Sequence, residues 1–303
     1  MFSKTSLFSY LTLIVLLLAA HVWLRSMPNR MDAPERSAEV RFTPLKLDPS
    51  GFAPLRLAGA WQVEVADPRF GGLSALAVDG GKLLAVTDSG SVVRLPKPGE
   101  GGRAVIHDLP AGPGSGAFKR NRDSEALARD PQGRGWWLAF ERWNQLWLYD
   151  PAFRNPLEKL DLGAGRWPEN SGIEGLAAKG GDLILFPESG EEWLTVSNGK
   201  IPRHPLANAY GSIADALALP SGRLLLVTRQ IGVGGLAKGI VEAVPDGGGL
   251  RLRQLAALPL GARDNVEGIA AEPRADGGTR LWLVTDDDFR PRKATLLLAL
   301  DLP

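Results

Sequence analysis

The chain has 303 residues, 44% apolar and 23% charged, which suffices to bury one large core and excludes general disorder. A formal net charge of +1, with no basic cluster interleaved with aromatics, excludes a nucleic-acid footprint. With no cysteine there is no disulfide, thiolate nucleophile or cysteine-ligated zinc, and no G-x-S-x-G elbow offers a serine nucleophile.

Between Lys4 and Arg25 run twenty residues without formal charge, densest at LTLIVLLLAA from Leu11 to Ala20. That length spans a bilayer as a helix or serves as a secretory signal, and either use exports the rest of the chain. Trp23 beside Arg25 reads as an interfacial anchor and favours an uncleaved helix over cleavage near Ala19-Ala20. The stretch from Pro28 to Pro54 reads as a linker. The expected division is therefore 1–26 anchor or signal, 27–55 linker and 56–303 folded domain.

Past the linker one pattern recurs five times: an acid or Ser, a small residue, Leu or Ile, then Ala. The copies begin at Ser74, Glu125, Glu174, Asp215 and Glu267. Each is followed by a second apolar run ending in polar or charged residues: LLAVTDSG, WWLAFERW, LILFPESG, LLLVTRQI and LWLVTDDDF. The period of about 50 residues holds four short strands and their turns, the size of one propeller blade. Gly 36 and Pro 23 suit so many turns. The expected fold is an all-β propeller. Its last repeat supplies only three strands, so AWQVEVAD, Ala60 to Asp67, is expected to close that blade as its outer strand. This makes five blades, or six if an irregular blade lies within 99–121 or 155–170.

GGLSAL and VTDSG between Gly71 and Gly90, RDSEAL at Arg122 to Leu127, FERWNQLWLYD at Phe140 to Asp150, NSGIEGLA at Asn170 to Ala177, and DNVEGIA with LVTDDDF between Asp264 and Phe289 resemble the phytase-like family with esterase-like activity. This is a β-propeller group of bacterial exported proteins. The resemblance implies hydrolysis of phosphate or other esters, calcium by analogy with the propeller phytases, and a small-molecule ester as partner. With the N-terminal run, the expected location is the bacterial periplasm, tethered to the inner membrane, or secreted if the leader is removed.

On a propeller, the first residues of the innermost strands converge at one rim, which gathers Glu125, Glu174, Asp215 and Glu267. Carboxylates that close raise one another's pKa unless a cation sits among them, and a hard cation with oxygen ligands fits. The ends of the second strands reach the same rim and add Asp88, Glu141 with Arg142, Glu188, Arg229 and Asp286 to Asp288. The candidate metal ligands are Glu125, Glu174, Asp215, Glu267, Asp88, Asp286 and Asp287. Glu174, Glu267, Arg229 and Arg142 are the candidate catalytic residues. Arg142, Arg229, Asn170 and Asn265 are assigned to substrate, with the arginines gripping phosphate.

Each feature also has a plainer reading. Ring acids can recur because they accept backbone amides of a neighbouring blade. Trp136, Trp137, Trp143 and Trp147 suit packing, and Gly232 to Gly235 lacks the Lys of a phosphate loop. Two other functions stay open: a gluconolactonase-like lactonase using Glu174, Asn170, Glu267 and Asn265, and a non-catalytic binding or scaffold propeller.

Overall fold

The computed structural model describes residues 10, 14, 33–163, 167–168, 171–232, 235–261, 264–290 and 292–303. Two strands come first, β1 (Arg36–Pro44) and β2 (Arg56–Val65), with a 3-10 turn at Pro49–Phe52 between them. Strands then follow in groups. The first is β3 (Leu73–Asp79), β4 (Lys82–Thr87), β5 (Ser91–Leu95) and β6 (Arg103–Asp108); the second is β7 (Ser124–Arg129), β8 (Trp136–Phe140), β9 (Gln145–Tyr149) and β10 (Pro156–Asp161). The third is β11 (Ile173–Lys179), β12 (Asp182–Pro187), β13 (Glu192–Val196) and β14 (Arg203–Pro205); the fourth is β15 (Ser212–Ala218), β16 (Leu224–Gly232), β17 (Gly235–Asp246) and β18 (Gly249–Ala257). The last is β19 (Asn265–Pro273), β20 (Thr279–Asp286) and β21 (Thr295–Leu302).

The second, third and fourth groups are separate four-stranded antiparallel sheets. The first and last join in one nine-stranded sheet of order β19-β20-β21-β2-β1-β6-β5-β4-β3. Here β2 pairs with β21, Trp61 opposite Leu297, so the segment from Ala60 lies beside the chain's last strand. Within the expected linker over 27–55, Arg36–Pro44 is instead strand β1. Val40 of β1 pairs with Val65 of β2, and Ala38 pairs with Ala104 of β6. That segment therefore stitches both ends of the ring together, and Phe52 in the following turn is fully buried. The expected N-terminal helix lies outside the described residues apart from Tyr10 and Ile14. Among the described residues no helix is long and apolar enough to cross a membrane.

Local sequence explains the hairpins. Asp79 pairs with Lys82 across Gly80-Gly81, and Lys179 with Asp182 across Gly180-Gly181, with positive φ at both glycines of each turn (55° and 81°, 62° and 92°). A two-residue turn of that hand matches the twist of the strands it joins, and only residues without a Cβ adopt it freely. Runs such as Leu83 to Val86 and Leu224 to Val227 are buried throughout because each sheet packs on both faces. Ala75, Leu84 and Val86 of the first group meet Leu127 and Leu138 of the second. Val266 and Leu283 of the last group meet Val227 and Ile240 of the fourth. The core is thus a ring of interfaces between successive sheets, and emptying one position, as in Leu84→Ala, costs about 2–5 kcal/mol.

Candidate functional site

The innermost strands β3, β7, β11, β15 and β19 approach one another around the centre. Each carries a β-bulge near its start. The unpaired residue is Ser74 in β3, Glu125 in β7, Glu174 in β11 and Glu267 in β19, whereas in β15 the bulge falls one residue earlier, at Ala214. A bulge leaves a residue out of the ladder and re-aims its side chain. It thereby presents three of the four repeated acids to a central cavity of about 210 Å³.

Glu125, Glu174 and Glu267 line this cavity, as do Asp88 after β4, Asp286 at the end of β20, Arg229 of β16 and Asn265 of β19. Glu141, Glu188 and Asp288 line it as well. Both sets of acids, from strand starts and strand ends, therefore meet at one rim.

Asp215 does not. One residue beyond its bulge it sits within the ladder, opposite Val227, and its carboxylate accepts the amides of Ala216 and Ile269, each at 2.7 Å. Its assignment as a metal ligand is corrected: it ties backbone to backbone. Asp287 is corrected likewise. Its Oδ1 accepts the amides of Gly72 and Phe289, both at 2.9 Å, and its Oδ2 accepts the Thr295 hydroxyl at 3.0 Å. Gly72 has φ +54°, and a Cβ there would strike Asp88 and Phe289, so this close packing requires glycine. Asn170 lies outside the described residues.

Arg229 stands among the acids. It is ion-paired with Glu267, lies 3.4 Å from Glu188 Oε1 and donates to Asn265 Oδ1 at 3.3 Å, while the Asn265 amide donates to Glu267. Asn265 is thus spent on holding the Arg229–Glu267 pair. Arg142 is not part of the cavity wall; burial raises the carboxyls of Asp123 and Glu141, and the Arg142 charge only partly offsets that rise. Lys119 pairs with Asp88 at 2.5 Å, yet the buried Oδ1 of Asp88 has no hydrogen-bond partner.

The densest cluster is Asp123, Glu125 and Glu141, with one oxygen of each within 4.8 Å of the others. Asp123 was missed in the sequence, although it stands two positions before Glu125, the same-face spacing of an extended chain. Burial first, then like charge, makes these groups hold protons. Glu125 and Glu174 are pushed well above the carboxylate range, Glu141 and Glu267 up to about 7, Asp88 to about 6 and Asp286 to about 8. Three neighbouring carboxylate oxygens and an orphaned Asp88 oxygen are hard donors of the kind a hard cation takes. A larger groove, about 1290 Å³, adjoins the cavity and shares Arg229, Glu188, Asn265 and Asp288 with it.

Among solved structures, Myxococcus xanthus glutaminyl cyclase is 14% identical, with a TM-score of 0.53 over 82% of this chain and 97% of that one, a likeness in fold alone. A putative 6-phosphogluconolactonase from Bacteroides uniformis is 17% identical, with a TM-score of 0.40 over 75% of this chain and 70% of that one. No curated protein matches the chain. A family model described as esterase-like activity of phytase matches residues 68–289, the span that contains every wall residue of the central cavity, and the chain belongs to that phytase-like family.

Proposed function

We propose that this chain is an exported, membrane-tethered, five-bladed propeller that hydrolyses phosphate or related esters with the help of a hard divalent cation, calcium being the simplest choice. The count of five takes the nine-stranded sheet as two blades joined through β1. The observation that carries the proposal is the cluster of Asp123, Glu125 and Glu141 oxygens within 4.8 Å of one another, of which Glu125 and Glu141 line a cavity that also holds Arg229.

Those three residues, with Asp88 nearby, would hold the cation. When bound, it polarises the ester oxygen and lowers the pKa of water. Hydrolysis needs one proton taken from water and one given to the leaving oxygen. Glu174, buried and raised well above the carboxylate range, would give it, and Glu267, on the same cavity wall but outside the cation set and raised to about 7, would accept one near neutral pH. Arg229 faces both cavity and groove, where its fork can grip an anionic group. The lactonase reading would use Glu267 and Asn265 as free metal ligands, but both oxygens accept from Arg229, and the Asn265 amide donates to Glu267.

The test is turnover of phosphomonoesters, phosphodiesters and carboxylic esters by the purified full chain, after chelation and again with calcium. Calcium-restored turnover that disappears in Asp123→Asn is the expected result. Absence of turnover on every ester class would overturn the enzyme reading.

A further inference from the structure

Among the described residues from 33 onward, four large apolar side chains stand exposed: Ile231 at 93%, Leu157 at 51%, and Trp143 and Phe289 at 39% each. Three of the four lie on the cavity rim. Ile231 is on the hairpin of β16 and β17, which continues past the Ser212–Arg229 pairing at the rim through Ile231 opposite Leu236. Phe289 lies over Gly71 and Gly72 beside Asp88, in the loop between β20 and β21. Trp143 is in the turn from β8 to β9, next to Glu141. Leu157 is on the far rim, beside the Tyr149 end of β9.

The same rim carries exposed cations. Arg290 and Arg292 follow Phe289, with Ile231 across the groove they share, and Arg120 is exposed in the loop before β7. Exposed acids at this rim are Asp161 and Glu191 on the second and third groups, Glu35, paired with Arg154, and Glu64, 3.6 Å from Arg41. Asp288 lies 3.5 Å from Arg290 and leaves Arg292 as the more open cation beside Ile231.

The chain also enters here. Arg36 of β1 pairs with Ile106, close to the end of β6, and Ala33 donates to Asp108, which pairs with Ser91 at the rim end of β5. Ala33 is eight residues after Arg25, the end of the uncharged run. Fully extended, those eight residues reach at most about 28 Å.

From these placements we infer that the cavity face rests on an anionic lipid surface, with Ile231 and Phe289 entering the headgroup layer and Arg290 and Arg292 facing lipid phosphates, so that the groove opens onto the membrane. A tether ending at one rim holds that rim toward the bilayer. Apolar tips ringed by arginine are the chemistry of an interfacial contact. The inference rests on the tether in the proposed function and is independent of the reaction catalysed.

Because the chain has no cysteine, one label reports one site. Ile231→Cys, Phe289→Cys and Leu157→Cys, all at exposed positions, are made in the full chain, labelled with a polarity-sensitive fluorophore and reconstituted with vesicles of phosphatidylcholine alone or containing phosphatidylglycerol. The expected result is co-flotation with vesicles, blue-shifted emission and quenching by lipid-borne quenchers at 231 and 289, stronger with phosphatidylglycerol, and a water-like label at 157. Arg290→Glu with Arg292→Glu is expected to reduce the shift at 231, as is high salt. Co-flotation with a water-like label at 231 and 289 overturns the docking and leaves the tether standing. Equal quenching at 157 and 231 overturns the orientation, and failure to float overturns docking and tether together.

Discussion

The Asp215 carboxylate accepts the amide of Ile269 at 2.7 Å, so an acid of β15 is bonded to the backbone of β19 in the next sheet. Its other oxygen takes the Ala216 amide, and Leu76 of β3 adds a further backbone hydrogen bond. One side chain thereby secures three innermost strands beneath the cavity. Asp215→Ala leaves buried amides without acceptors, and the expected loss is about 3 kcal/mol of stability, measured by urea denaturation. The calcium-induced shift in melting temperature should persist. A stable Asp215→Ala variant that no longer responds to calcium would return Asp215 to the metal ligands.

Glu125 is affected in the opposite sense by removal of charge. Burial first, then the charges of Glu174, Asp123, Glu141 and Glu267, raises its carboxyl, so Glu125→Gln removes the cost of burying an ionisable group in the metal-free protein and deletes a proposed ligand. At pH near 8 the metal-free variant should melt higher than the parent. The parent should gain about 2.7 kcal/mol at a calcium concentration a hundredfold above its Kd, and the variant little of it. Differential scanning calorimetry with and without chelator decides this, and an unchanged calcium shift would remove Glu125 from the site.

The repeat made much of this legible. Its period announced the strand groups, and antiparallel order implied that Glu125, Glu174 and Glu267 share a rim with Asp88 and Asp286. Asp215 was not legible because its letter matches the pattern while its bulge falls one residue early, a register detail decided by the pairing of Ile213 with Thr228. Asp287 hid in a run of three acids whose middle member closes a loop, through Gly72 and Thr295. β1 was obscured by flanking prolines and few apolar residues. It holds as a strand because β2 and β6 satisfy it on both edges, a long-range gain absent from local propensity.

The carboxyl cluster also sets a pH dependence. Burial and like charge raise Glu141 and Glu267 to about 7 and Asp286 to about 8. From the ordinary carboxylate range, about 4, up to about 8, the folded protein therefore binds more protons than the unfolded chain, and stability falls as pH rises through that window. His107 acts oppositely: burial lowers it from 6.5 to about 4, so it weakens the fold only as pH drops below its ordinary value. Melting temperatures of chelated protein between about pH 6.5 and 8.5 isolate the carboxyls. A decline across that range, flattened by calcium, is expected; a flat chelated profile would mean that these acids are not jointly buried in solution.

Arg229 separates binding from scaffolding. It pairs with Glu267 and Glu188 yet faces the groove, so its guanidinium can hold the ring acids or receive substrate charge. Loss of a charge-assisted hydrogen bond to an anionic group is worth about 1.5–3 kcal/mol, or roughly ten- to a hundredfold in kcat/KM. Arg229→Gln should therefore depress kcat/KM for a phosphomonoester by that factor. A neutral carboxylic ester, with no anion to grip, should lose less. If both substrates fell equally, Arg229 would serve only to position Glu267. Should the phosphomonoester alone suffer, with the neutral ester near parental rates, the guanidinium contacts the phosphoryl group, because a displaced Glu267 would impair both reactions alike.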